Sequence, residues 1–148
     1  MSKIALGTVQ FGIDYGVNSV AGQVDPKEVK KIFSYAHSTN IGLLDTAPAY
    51  GNSEKILGRV NVSNFKVVTK TRHFDSLEIK NTDVKLLNND FHHSLKDLKQ
   101  DSVYGVLVHN ADDLLKPGSE KLFDQLKELK QAEKIVKIGV SVYEHNQL

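Results

Sequence analysis

Five short, nearly unbroken apolar runs punctuate the chain: Ile4–Val9, Gly42–Ala47, Phe65–Lys70, Val103–His109 and Ile135–Val142. A strand with one wet face alternates apolar and polar residues, whereas a strand covered on both faces stays apolar throughout. The pattern therefore predicts strands of a parallel sheet. Between the runs, apolar residues fall at helical spacing. Asp25 can cap a first helix, Pro26 suits its first turn and Glu28 completes a capping-box pattern. Val29, Ile32, Phe33 and Ala36 form its apolar face. Asn52–Gly58 predicts a short second helix. A third runs from about Thr82 to Lys99, with Val84, Leu87, Phe91, Leu95 and Leu98 on one face. Ser119 is placed to cap a fourth, whose stripe is Leu122, Leu126 and Leu129.

Repeated strand–helix units imply right-handed crossovers and a parallel sheet, either open and doubly wound or part of a (β/α)8 barrel. A whole barrel needs about 250 residues. The 148 residues here supply four units and the start of a fifth. No Pro/Gly-rich linker interrupts them, so residues 1–148 read as one partial barrel domain.

Composition narrows the function classes. Hydrophobic residues make up 40% and charged residues 25%, which is ordinary for a globular chain. A formal net charge of +1 gives no field that would favour nucleic acid or an anionic membrane. The absence of cysteine excludes disulfides and thiolate-bound metal. The start, Met1-Ser2-Lys3-Ile4-Ala5-Leu6-Gly7, lacks a signal-peptide core, and no apolar run is long enough to span a bilayer. On these features the cytoplasm is the expected compartment.

Three apolar runs end on a chemically useful residue: Leu43-Leu44-Asp45, Val67-Val68-Thr69-Lys70 and Val106-Leu107-Val108-His109. In parallel α/β folds those ends open onto one face, where ligands bind. Tyr50 follows Asp45 closely in Asp45-Thr46-Ala47-Pro48-Ala49-Tyr50-Gly51-Asn52-Ser53-Glu54. Singly, each has a bland role: a turn-capping Asp, a rim Tyr, a solvated Lys, a core His. Together, a carboxylate, a phenol, an amine and an imidazole can deliver a proton to a carbonyl.

Other signals are weaker. Gly7-Thr8-Val9-Gln10-Phe11-Gly12 is a poor dinucleotide-binding motif, because no helix is expected to open directly after it. His92 and His93 are adjacent on a helix and point in different directions. His37, His73 and His145 have no acidic cluster nearby in sequence. Asp112 and Asp113 follow His109, but a barrel metal hydrolase would want a His-x-His near the first strand, and none is present. Lys121, Lys127 and Lys130 form a solvated helix face.

Leu6-Gly7-Thr8 with Phe11-Gly12, then Leu44-Asp45-Thr46-Ala47 with Tyr50-Gly51 and Ser53-Glu54, then Thr69-Lys70 and His109, resembles the aldo-keto reductases over essentially the whole chain. The resemblance implies the N-terminal part, about five β/α units, of a (β/α)8 barrel. It implies an oxidoreductase that reduces an aldehyde or ketone with NADPH, or NADH. Tyr50 would donate the proton, Lys70 stabilise the phenolate, Asp45 hold the ammonium, and His109 orient the carbonyl. Gly7, Thr8, Asp45 and Ser141 are the implied cofactor contacts. At the fifth strand the family's Gly-x-Ser-Asn is here Gly139-Val140-Ser141-Val142, so Ser141 fits, the Val142 side chain cannot make the hydrogen bond of the usual Asn, and Asn146 is the substitute to test.

The family's adenosine contacts lie mainly beyond the fifth strand. The chain is thus expected to be truncated, inactive alone, and prone to self-association through open barrel edges at Ile4–Val9 and Ile135–Val142. The alternative is a non-enzymatic barrel module that binds a cofactor or a protein partner.

Overall fold

The computed structural model describes residues 4–16 and 22–147. Five strands form one sheet: β1 (Leu6–Gly7), β2 (Leu43–Asp45), β3 (Lys66–Lys70), β4 (Val103–Val108) and β5 (Ile135–Val140). All pairings are parallel, and the spatial order is the chain order. A doubly wound sheet reverses its strand order at a switch point. This sheet never does, which is the arrangement of consecutive units in a barrel wall. Five helices connect the strands: α1 (Val9–Gly12), α2 (Pro26–Ser38), α3 (Ser53–Val60), α4 (Asn81–Leu98) and α5 (Glu120–Gln131).

The first run is the main departure from expectation. Only Leu6–Gly7 pairs as strand; the chain then turns into α1, which takes Val9 out of the expected strand Ile4–Val9. The turn drives Phe11 into the core, 3% exposed, with its ring 6.0 Å from that of Phe33. β5 ends at Val140, two residues short of the predicted limit.

Helix starts follow the sequence in part. Asp25 accepts the Lys27 amide at 2.7 Å, and Pro26 occupies the first position of α2. Glu28 bonds Lys31 at 2.9 Å. At α4 the Asp83 carboxylate accepts the Lys80 amide at 2.8 Å. Ser119 does not cap α5: its hydroxyl donates to the Leu114 carbonyl at 2.8 Å.

The core lies between sheet and helices. Leu44, Val67 and Val106 meet Val29, Leu57, Leu87, Leu98, Leu122 and Leu126, all essentially buried. Each such side chain stabilises the fold by about 1.5–3 kcal/mol. Where α3 meets the end of α4 the contact is so close that a Cβ on Gly58 would lie 2.0 Å from the Asp97 carbonyl oxygen. Among the described residues no helix is long and apolar enough to cross a membrane, and no group of three metal-ligating side chains is gathered.

Candidate active site

Asp45 ends β2, Lys70 ends β3 and His109 follows β4. Parallel pairing brings these ends to one rim, with Gly7 opposite Asp45 and Lys70 opposite Leu107. Tyr50 reaches the same rim from the turn between β2 and α3. The Lys70 ammonium is almost fully buried, and a buried charge is tolerable only when paired. It donates to Asp45 Oδ1 at 2.6 Å and to the Thr46 carbonyl at 3.1 Å. The same Nζ lies 4.9 Å from the centre of the Tyr50 ring. Asp45 is more open, with 37% of its side chain exposed.

His109 is buried, and its ring and that of Tyr50 form a T-shaped pair with centres 6.0 Å apart at 84°. Its backbone amide donates to the Thr71 hydroxyl at 3.2 Å, while the ring Nδ1 is buried without a hydrogen-bond partner. Burial holds its pKa below the usual imidazole value, and the nearby His73 and Lys70 push it the same way. A hydrogen bond at Thr71 and the charge of Asp45 oppose this without reversing it. His109 is therefore a neutral imidazole at neutral pH, with one N–H to donate.

Beneath the rim sits a buried hydroxyl cluster that sequence reasoning missed. Thr8 Oγ1 donates to the Asp45 carbonyl at 2.9 Å. Ser53 Oγ lies 2.9 Å from both the carbonyl and hydroxyl oxygens of Thr8, and 3.3 Å from the Thr46 hydroxyl. Next to it, Glu54 is buried and accepts the Thr69 hydroxyl at 2.6 Å. Burial raises the Glu54 pKa above the usual carboxylate value, and the hydrogen bond from Thr69 pulls it back only in part. Ser53 and Glu54 stood inside the most specific motif. Their signal was polarity at positions where a helix turns inward.

Two glycines set the Tyr50 turn. A Cβ on Gly12 would lie 1.7 Å from the Tyr50 carbonyl oxygen. Gly51 has φ +57, and its Cβ would lie 2.8 Å from the Gly12 carbonyl. The backbones of α1 and the Tyr50 turn are thus in direct contact, which only glycine permits.

The expected cofactor contacts fare differently. Gly7 faces open space. Ser141, partly exposed just past β5, donates its amide to the Val108 carbonyl at 2.9 Å. Thr8 is fully buried and its hydroxyl is committed to Asp45 and Ser53. The side chain of Asn146 lies outside the described residues. His73, which has no acidic cluster nearby in sequence, has its ring centre 4.4 Å from that of His109. Cavities of about 560 and 540 Å³ lie between α2 and α3, around Lys30 and Arg59, and touch none of the four rim residues. They are concave but carry no converging acid–base groups, so the rim remains the candidate site.

Comparison with known proteins agrees with the geometry. The profile of the Aldo/keto reductase family matches residues 3–148. The aldo-keto reductase YhdN of Bacillus subtilis is 32% identical, the match covering 99% of this chain and 45% of that protein. The solved structure of PA4992 from Pseudomonas aeruginosa, assigned to the aldo-keto reductases, superimposes with a TM-score of 0.75 at 31% identity, over 93% of this chain and 54% of that one. Aldo-keto reductase AKR11C1 from Bacillus halodurans, in its holo form, shares the fold at 19% identity, with a TM-score of 0.70 over 95% of this chain and 46% of its own. The chain spans about half the length of these relatives. With the profile over residues 3–148 and the strand order in agreement, the chain belongs to the aldo/keto reductase family.

Proposed function

We propose that this chain carries the acid–base half of an NAD(P)H-dependent carbonyl reductase site, acting on an aldehyde or ketone. One observation carries the reading: a single buried ammonium, Lys70, is held by Asp45 at 2.6 Å and lies 4.9 Å from the Tyr50 ring, with His109 beside both. Tyr50 gives its phenolic proton to the carbonyl oxygen. The phenolate left behind is stabilised by the Lys70 charge, which Asp45 and the Thr46 carbonyl keep in place. His109 donates its N–H to the same carbonyl oxygen, orienting it and stabilising the charge that develops there.

The residues present fit the nicotinamide end of such a cofactor. Asp45 Oδ2 accepts no hydrogen bond from the described residues, Gly7 borders open space, and Ser141 is accessible. These three would hold the ribose and nicotinamide. Thr8 would act from below, by fixing the Asp45 backbone. When bound, the cofactor supplies hydride to the carbonyl carbon.

The test is a chain extended to the family's length, given NADPH or NADH and a panel of aldehydes and ketones. Cofactor oxidation that depends on the carbonyl is the expected result. An extended chain that binds the cofactor and reduces none of the panel would remove the reading.

A further inference from the structure

We propose that His73 is a positioning residue of this site, packed against His109 so that the ring presents one N–H towards the carbonyl. The role rests on the reductase reading, whereas the contact and its electrostatic effect do not.

The first argument is orientation. A functional imidazole is usually aimed by a hydrogen bond from its second nitrogen to a carbonyl or carboxylate, which also selects the tautomer. His109 lacks that device, since its Nδ1 is buried with no partner. Something else must hold the ring. The Tyr50 ring makes a T-shaped contact with it at 6.0 Å, and the ring of His73 packs on it at 4.4 Å with a tilt of 45°. His73 comes from the segment just past β3, beyond Lys70, so the strand that supplies the ammonium also delivers the packing ring. Two rings from two different loops thus meet His109.

The second argument is charge. The groups facing His109 are Lys70 from β3, Asp45 from β2, Tyr50 from the turn before α3, and His73. Asp45 is already paired with Lys70. A proton on His109 would therefore be buried beside one permanent cation and, whenever His73 is charged, beside a second. Arg72, next to His73 in sequence, is paired with Asp90 at 2.6 Å and carries its charge elsewhere. His73 itself is exposed, so water solvates any charge it takes. The exposed ring thus opposes a charge on the buried one and preserves it as a neutral donor.

The experiment follows the imidazole nitrogens of His109 by NMR across a pH titration of this chain and of two variants. His73→Gln removes the charge and the ring. His73→Phe removes the charge and keeps a ring to pack. In His73→Gln the His109 midpoint should rise by about half a unit to one unit, the size expected for losing a like charge at this range. That variant should also populate both His109 tautomers, while His73→Phe should keep one. An unchanged midpoint and a single tautomer in His73→Gln would overturn the proposal. In the extended chain, an unaltered pH–rate profile for His73→Gln would overturn the catalytic part. An extended chain that reduces no carbonyl, with His109 still shifting as described, would remove the reductase reading and leave the contact standing.

Discussion

The hydroxyl of Ser53 lies 2.9 Å from both the carbonyl and hydroxyl oxygens of Thr8, a residue 45 positions earlier. This link ties the start of α3 to the residue between β1 and α1. Because Thr8 also bonds the Asp45 carbonyl, it joins the Tyr50 turn to the strand end that holds Lys70. Thr8→Val keeps the shape and deletes the hydroxyl, leaving buried partners unsatisfied at a cost of about 1–3 kcal/mol. Thr8→Ser should restore most of the loss. Urea unfolding measures both, and a Thr8→Val chain as stable as the parent would show that the cluster holds nothing together.

Tyr50→Phe removes the proposed proton donor and keeps the ring beside Lys70. In the extended chain kcat should fall by about 10² to 10⁴, the usual worth of general acid catalysis, with cofactor affinity little changed. Retained kcat with chemistry rate-limiting would take the acid role away from Tyr50.

Two buried groups give the stability opposite pH dependences. Glu54 titrates above its ordinary 4.5 in the folded chain, so folding favours its protonated form. Its contribution is complete below that value and is lost as pH rises through the folded pKa. His109 titrates below its ordinary 6.5, so its contribution is present above that value and is lost as pH falls. Glu54→Gln imitates the protonated acid. Its melting temperature should gain on the parent's as pH rises from about 4 to 8. A constant difference across that range would mean that Glu54 is not held protonated.

Gly12 and Gly58 sit where backbone meets backbone, so an added methyl has no flexible neighbour to displace. Gly12→Ala and Gly58→Ala should each destabilise by about 1–3 kcal/mol or more, as overpacking does. Gly42→Ala, where nothing lies within 4 Å of the added carbon, should be tolerated. Thermal melts of the three variants compare them directly, and equal melting temperatures would contradict the close approach.

β5 pairs only with β4 among the described residues, and Val136 and Val140 stand 53% and 38% exposed on it. Unpaired strand edges of this kind recruit another strand. We expect the 148-residue chain to self-associate through β5, and Val136→Lys with Val140→Lys to return it to monomer in sedimentation. A parent chain that is monomeric at high concentration would show that this edge is protected in some other way. β1, with two paired residues, offers much less edge than the apolar run Ile4–Val9 suggested.

The sequence by itself determined the order of strands and helices, since continuous apolar runs and helical stripes are local consequences of burial. It also set three residues near one another, because strand ends in a parallel sheet share one face whatever the loops do. Asp45, Lys70 and His109 were legible for that reason, and Tyr50 through the motif that follows Asp45. The tertiary structure decided what no local pattern encodes. It drew Val9–Gly12 into a helix because Phe11 had a core to enter, and it turned the Thr8 hydroxyl inward because Asp45 and Ser53 supplied partners across the fold. It also laid His73 against His109, a contact between two loops that follow different strands. Spacing along the chain reports which face a residue takes. Only packing between distant segments decides which side chain it meets there.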